Sequence, residues 1–574
     1  MNVAVGKPGA AAEFLDCVPE SGTEIGAPIV VEDADSFAWD DSCDMLVVGF
    51  GLAGAAAALK GAELGGMDII LADRFDGGGT SALSGGVVYS GGGTRVQKDL
   101  GIADSVDNLI QYMTYEAGQV RKPSTIARFA NRSASMIDWL EARGVSYGGP
   151  LETRKTSYPP ASKFLYYSGN EVAPAYATSG GPAPRGHRAI PTRQEDYSKY
   201  SGWVMMSTLQ RYIEGSTGIR LKLKAAARRL IVNPQGEVIG AELWQVPADS
   251  PGAALHTKLR LRSLSMMRGM LGLTQKDWRK MAQIERDEAK PVRVRARRGV
   301  VLSTGGYGNN PEMLKRTAPE YVGNRIAGTP GCDGSAVRLG RSVGTALGQM
   351  HLCSPWRFLA PPVSWMKGVL VGPQGERLVN EQLYAANVGN AIMTKAGGKA
   401  WLITDQPLQD KALAEIKDPE LWPFQRLPAR FTVWRAKKAK TIPELEKKIG
   451  VPAGSLQRTM AAYNDAIRNG QPDPEGKGDE QRVLLETGPF YAMNESAGIK
   501  FNPIGQITLG GILTDEDSGV ALGEDGQPIR GLYAAGRSAV GLCSHNYVSG
   551  MSLADCIFSG WTAAETIAGN RADA

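Results

Sequence analysis

Histidine is scarce in this chain: only His187, His256, His351 and His545 occur among 574 residues, and no two of them stand at metal-ligand spacing. The six cysteines, Cys17, Cys43, Cys332, Cys353, Cys543 and Cys556, are scattered, and no C-x-x-C occurs. The patterns of a zinc site, an iron–sulfur cluster and covalent haem are therefore missing; no metal is expected, and reduced thiols of a cytoplasmic protein are. No eighteen-residue apolar run exists, so no membrane-spanning helix is expected. The N-terminus lacks a basic start followed by an apolar stretch, so no secretory signal is expected. Glycine, in contrast, is abundant at 71 residues, nearly twice its usual share. It shows no G-X-Y period, which excludes collagen, and it clusters, as it does where backbone must approach a ligand closely. The apolar 43% and charged 21% are those of an ordinary globular protein. The net charge of +5 is uneven, because residues 258–298 hold 13 basic and 4 acidic residues. One basic insert does not make a nucleic-acid-binding protein, and no nucleic-acid partner is expected.

Residues 1–41, rich in Gly, Pro, Glu and Asp, are expected to form a tail. Met45 to Val48 then reads as a buried strand, Ala55 to Glu63 as a helix, and Asp68 to Asp73 as a second strand ending in an acid. Between the first two lies Gly49-Phe50-Gly51-Leu52-Ala53-Gly54. A lone G-x-G-x-x-G is weak evidence, but the strand before it, the helix after it and the acid nineteen residues beyond Gly54 make it a dinucleotide fingerprint. Gly49 permits the tight turn, Gly51 lets the backbone approach a pyrophosphate, and Gly54 lets helix and strand pack closely. The helix N-terminus adds free N–H groups and about half a positive charge. Asp73 would take the ribose hydroxyls. A second glycine-rich run, Gly77 to Gly86 with Thr80, Ser81, Ser84, Gly85 and Gly86, suits a flat isoalloxazine lying against backbone. Thr304-Gly305-Gly306 and Ala534-Ala535-Gly536 close the same cofactor from later strands. FAD is the expected cofactor. Helices are expected over 123–144, 203–216 and 555–567, strands between Gly218 and Trp244, and a long aromatic-rich loop over 153–200.

Three stretches, DMLVVGFGLAGAAAAL, STGGYGNNPEML and GLYAAGR…SGMSLADC, resemble the fumarate reductase and 3-ketosteroid dehydrogenase superfamily of FAD enzymes. MIDWLEARGV, GERLVNE, TGPFYA and ITLGGILTD add weaker matches in the expected order, so the resemblance covers about residues 40–570 apart from the basic insert. It implies an α/β fold, with a Rossmann-like FAD-binding domain (42–344 and 506–574) and an inserted α+β substrate or capping domain (345–505). It extends the cofactor-binding set to Leu52, Ala53, Arg74, Ala227, Arg537, Ser552 and Leu553. The superfamily often has an acid after Ala-Ala-Gly; here Arg537 stands there.

Fumarate reductases hold a dicarboxylate with arginines and a histidine. At the matching positions this chain has Tyr384, Tyr547 and Gln506, which favours a neutral, apolar, carbonyl-bearing substrate. The resemblance is strongest to the Δ4-(5α) branch of the steroid dehydrogenases, which oxidises a saturated 5α-3-ketosteroid to the 4-ene-3-one. By that resemblance Tyr384, Tyr547 and Ser549 are catalytic groups; Tyr547 with Ser549 is assigned as the base system and Tyr384 with the Gly550 N–H is placed near the substrate, while the sequence leaves open which tyrosine meets the carbonyl and which the proton. A steroid substrate and an external electron acceptor are the implied partners. A Δ1-dehydrogenase, a reductase of another activated alkene and a non-catalytic electron-transfer flavoprotein remain as alternatives. The insert 258–298 interleaves Arg and Lys with Leu259, Leu261, Leu264, Met266, Met267, Met270, Leu271, Leu273, Trp278, Met281 and Ile284. Such a stretch can lie peripherally in a membrane interface; a solvated excursion or a subunit contact is the other reading.

Overall fold

The computed structural model describes residues 13–193, 199–265, 272–500 and 502–569. Its centre is a nine-stranded sheet. Strand Asp41–Val48 pairs in parallel with Ile69–Ala72 on one side and Lys290–Leu302 on the other, and Pro528–Ala534 joins the end of the latter in parallel. The paired segments are near-continuous apolar runs because helices cover both faces of the sheet; Met45, Val47, Ile69, Leu71, Val300 and Leu302 are all fully buried. The register brings Val48, Ala72, Leu302 and Ala534 to one edge. The carboxyl ends of parallel strands are where such sheets bind ligands. The segments that leave this edge are those singled out in the sequence: Gly49 to Gly54, Asp73, Ser303 to Gly305, and Ala535 to Arg537.

Helix Leu52–Leu64 begins directly after the first turn and lies against the closing helix Met551–Gly569. Small residues let the two backbones meet; a Cβ on Gly560 would fall 2.6 Å from the Ala53 carbonyl. The expected helices occur as Pro123–Glu141 and Ser201–Glu214, and the expected strands as Ile219–Lys222, Ala225–Val232 and Val238–Gln245. The aromatic-rich loop carries two short strands, Leu165–Tyr166 and Gly186–Arg188, which pair with each other and, through the second, with Val87–Tyr89. Within 345–505 a separate antiparallel sheet forms from Val369–Val371, Trp401–Thr404, Phe490–Asn494 and Lys437–Ala439. Among the described residues no helix is long and apolar enough to cross a membrane.

Two expectations are corrected. Residues 13–41 are not a tail. Phe14 and Cys17 are buried, Ile29–Val30 pairs in parallel with Ile231–Val232, and the buried Arg338 donates to the carbonyls of Phe14 and Thr23. This order comes from distant partners, so the local composition does not show it. The basic insert is likewise not an excursion. Its helices Ala253–Ser263 and Thr274–Glu288 pack on each other, and Leu259, Trp278, Met281 and Ile284 are buried with Phe75. Those four cannot face a membrane; Leu261 and Leu273 are exposed, and Met266, Met267, Met270 and Leu271 lie outside the described residues.

Candidate active site

A cavity of about 820 Å³ opens at the strand ends and is lined by Gly49, Gly51, Asp73 and Ala227, by Thr304, Gly305, Arg537, Ser552 and Leu553, and by Tyr384, Tyr547 and Ser549. Leu52, Ala53, Arg74, Thr80, Ser81, Ser84 and Gly85 also line it. One space therefore joins the expected cofactor residues to the expected catalytic ones.

The glycine roles are legible in the geometry. Gly49 has φ +110°, and a Cβ there would lie 2.6 Å from the Ser303 carbonyl oxygen. A Cβ on Gly54 would lie 1.9 Å from the Gly49 carbonyl oxygen, so no side chain fits between turn and helix. At Gly51 the nearest atom, Ser81 Oγ, is 3.7 Å away, so this face is open to the cavity. Gly51 is also the N-cap of helix Leu52–Leu64 and supplies no side-chain cap. The Leu52 N–H at this helix end donates to Ser81 Oγ at 3.1 Å, and the side-chain-free backbone beside that positively polarised end fits a dinucleotide phosphate. The Asp73 carboxylate is held by the Phe50 and Phe75 N–H groups, each at 2.8 Å, which fixes it at the mouth of the first turn.

Not every expected cofactor residue lines the cavity. Gly54, Gly86, Gly306 and Gly536 make room for neighbours instead; Cβ atoms there would meet Gly49, Ser201, Thr508 and Ala53 respectively. Arg74 turns its guanidinium to protein, donating to Glu285 at 2.9 Å, Asp333 at 3.2 Å and the Ser21 carbonyl at 2.6 Å. Thr304 Oγ1 accepts from Ser335 and from the Ala336 N–H, so its hydroxyl oxygen is committed to helix Ser335–Ser342. Arg537 stands at the wall with Nη2 3.7 Å from Cys332 Sγ.

The rings of Tyr384 and Tyr547 meet edge-to-face with centroids 6.0 Å apart, and the Trp356 ring centroid lies 5.5 Å from that of Tyr547. Burial pushes both phenols up from their ordinary range. Gly550 acts against this shift on Tyr547 through its backbone N–H, and Ser549 acts against it on Tyr384. Ser549 and both tyrosines line the same cavity. The Ser549 Oγ also stands 3.0 Å from the hydroxyl of Tyr166, a residue the sequence reading missed. Gly550 does not line the cavity. It has φ +95°, and a Cβ there would lie 2.7 Å from the Tyr89 nitrogen. Tyr384 is anchored through its backbone N–H to Asn170 Oδ1 at 2.6 Å, and Asn170 donates to buried Glu116 at 2.9 Å. Glu116 also accepts from Asn546, next to Tyr547, so one carboxyl positions both tyrosine segments.

Gln506 does not reach the cavity; it accepts from Asn324 and donates to the Tyr321 carbonyl. Aromatic and apolar groups form much of the wall instead, among them Tyr158, Phe358, Trp365 and Phe424. Arg260 and Trp278, both from the insert, also line it. No motif pointed to them.

The family model described as FAD binding domain matches residues 44–553. A 3-oxo-5-alpha-steroid 4-dehydrogenase of Comamonas testosteroni is 34% identical over 534 residues, 89% of this chain and 96% of that protein. A 3-oxosteroid 1-dehydrogenase of Mycolicibacterium smegmatis is 26% identical over 92% of this chain and 98% of that protein. The crystal structure of the 3-ketosteroid-Δ4-(5α)-dehydrogenase from Rhodococcus jostii RHA1, in complex with 4-androstene-3,17-dione, matches with TM-score 0.78 and 29% identity, over 95% of this chain and 100% of that one.

Proposed function

The chain belongs to the FAD-binding family that includes the 3-oxosteroid 4- and 1-dehydrogenases, and on that premise we propose that it oxidises a saturated 5α-3-ketosteroid to the 4-ene-3-ketosteroid. The observation that carries this reading is the single cavity in which the glycine cradle and the Tyr384–Tyr547 pair meet. The similarity to the 4-dehydrogenase at 34% identity, against 26% for the 1-dehydrogenase, favours C4–C5 as the bond oxidised.

The reaction removes a proton from C4 and a hydride from C5. FAD, when bound, accepts the hydride. The Asp73 loop, the Gly51 turn and the N-terminus of helix Leu52–Leu64 would hold it. The chain supplies the proton chemistry. The C4 proton becomes acidic enough to leave when a donor holds the C3 oxygen as enolate character develops. Tyr547 can be that donor, because its phenol is protonated and the Gly550 N–H polarises it. Tyr384 faces it as the proton acceptor. A lone buried phenolate is costly, and burial disfavours it at Tyr384. Ser549 and Tyr166 relieve that cost by sharing the missing proton along three hydroxyls. The aromatic walls bind the apolar skeleton and keep water from the enolate.

Anaerobic addition of a saturated 5α-3-ketosteroid tests the reading. Loss of the flavin band at about 450 nm with formation of a 4-ene product is expected. Flavin that stays oxidised with this steroid but bleaches with a 4-ene-3-one would move the assignment to 1-dehydrogenation. Electrons leave to an external acceptor in this reading. A cytoplasmic protein touching a membrane through 258–298 rests on exposed Leu261 and Leu273; co-sedimentation with phospholipid vesicles tests it.

A further inference from the structure

Helix Pro423–Trp434 is a wall between the cavity and solvent. Phe424, Gln425, Pro428 and Ala429 line the cavity, while Pro423, Leu427, Arg430 and Trp434 are exposed. Positions three and four apart share one helix face, so these four form a separate outward stripe. That stripe is mostly apolar although it meets water. Leu427 is 52% exposed, and Trp434, at 76%, is the most exposed large apolar side chain among the described residues. Half-buried Phe431 meets the Trp434 ring with centroids 5.9 Å apart. On the inner side, Asn502 of the cavity wall donates to Thr432 Oγ1 at 3.3 Å and ties the helix in place.

The same stretch is cationic. Residues 423–440 hold Arg426, Arg430, Arg435, Lys437, Lys438 and Lys440 and no acid. All but the half-buried Arg426 are exposed. Arg435 lies over the Phe431 ring at 5.7 Å and Lys438 over that of Tyr491 at 5.2 Å, and none of the six is in an ion pair with a described residue. The flanking acids have other partners: Glu420 accepts from Ser162 Oγ at 2.7 Å and Glu444 from the Lys440 N–H at 3.1 Å. Lys437–Ala439 is an edge strand of its sheet, where lysines discourage strand pairing. That explains Lys437 and Lys438 and leaves Arg430, Arg435, Lys440 and Trp434 without a reason.

We propose that helix Pro423–Trp434 and the cationic segment after it dock the protein on an anionic phospholipid surface. Leu427, Phe431 and Trp434 would enter the headgroup boundary, and the cations would face the lipid phosphates. An apolar helix face rimmed by Arg and Lys is the usual form of such a contact, and tryptophan is enriched at that depth. Each basic residue near an anionic bilayer contributes about five-fold in affinity. Docking sets one wall of the cavity against the bilayer. That the bilayer also delivers an apolar substrate rests on the steroid reading; the docking itself does not.

The test is sedimentation of the purified full-length protein with vesicles of phosphatidylcholine, and with vesicles of equal parts phosphatidylcholine and phosphatidylglycerol. Binding to the anionic vesicles, weakening as salt rises, and little binding to the neutral ones are expected. The quadruple variant Arg435→Gln, Lys437→Gln, Lys438→Gln, Lys440→Gln should weaken binding at least about hundred-fold, and Trp434→Ser about ten-fold. The insert variant Leu261→Asn, Leu273→Asn should keep the preference for anionic vesicles. Far-UV circular dichroism checks that the variants fold, and the lipid and salt dependence of wild type needs no variant. Wild type that ignores anionic vesicles overturns the proposal. So does undiminished binding by the quadruple and Trp434→Ser variants, or loss confined to the insert variant. Binding of poly-glutamate without binding of vesicles would overturn it in favour of an acidic protein partner. Sedimentation needs no steroid, so failure of the steroid reading leaves this test intact.

Discussion

The Ser549 hydroxyl lies 3.0 Å from that of Tyr166, joining segments 383 residues apart in the chain. Ser549 also favours the ionised form of Tyr384. The proposed mechanism uses these as a line of three hydroxyls ending at Tyr384, the candidate proton acceptor. Positioned acid–base groups typically contribute about 10²–10⁴ in rate. Ser549→Ala is expected to slow flavin reduction by about 10²-fold, near the lower end of that range, with FAD affinity unchanged. Tyr166→Phe should cost less, because it removes only the far end. The double variant should be no slower than Ser549→Ala alone, since both changes break one chain. Single-turnover stopped-flow measurements check this; additive losses would show that the hydroxyls act separately.

Tyr547 is assigned to the ketone oxygen, and that role separates from hydride loss. Tyr547→Phe is expected to lower the rate by about 10²–10³, the usual cost of one oxyanion donor. The same variant should lose exchange of the steroid C4 hydrogens with deuterated water, because enolisation itself needs the donor. Mass spectrometry of recovered steroid reads this directly. Exchange that persists while oxidation fails would place Tyr547 at another step.

The first strand–turn–helix–strand unit was readable because each step of it is local. An apolar run makes the strand, three glycines make the turn, and Asp73 closes the unit within one stretch of chain. Resemblance to motifs singled out Tyr384 and Tyr547, whose rings the fold brings together at the cavity wall. The hydroxyl chain was not, because Tyr166 lies on a two-residue strand in an aromatic loop and meets Ser549 only through the fold. The insert was misread for a related physical reason. Its Leu, Trp and Met residues share a stretch with many cations, and composition cannot show that Leu259, Trp278 and Met281 turn inward. Residues 13–41 followed the same rule, ordered by Arg338 and Asp333 from far along the chain.

Glu116 gives a pH dependence with a definite sign. Burial pushes its carboxyl up from 4.5 to about 7, even though Tyr112, Asn170 and Asn546 donate to it. A group raised in the native state is protonated there more readily than in the unfolded chain. Its contribution is full below about 4.5 and is lost as pH rises through about 7. The amount at stake is on the order of 3 kcal/mol. Glu116→Gln should remove this slope, so the variant gains on wild type between pH 5 and pH 8, roughly the span over which the group ionises. Urea unfolding at the two pH values measures it; an unchanged slope would assign the effect to other carboxyls.

Gly51 and Gly54 stand three positions apart in one turn, yet they should fail in opposite ways. A Cβ at Gly51 has only Ser81 Oγ near it, at 3.7 Å, and otherwise enters the cavity. Gly51→Ala is therefore expected to keep the stability of the flavin-free chain within about 0.5 kcal/mol while weakening FAD at least about ten-fold. A Cβ at Gly54 would fall 1.9 Å from the Gly49 carbonyl oxygen and 2.9 Å from Ser303 Oγ. Gly54→Ala must push the helix away from the turn, at about 1–3 kcal/mol of stability whether or not flavin is present. Urea unfolding of both flavin-free variants, followed by FAD titration, separates the two effects. A destabilised Gly51→Ala with normal FAD affinity would mean that this face of the turn packs against protein and that the phosphates lie elsewhere.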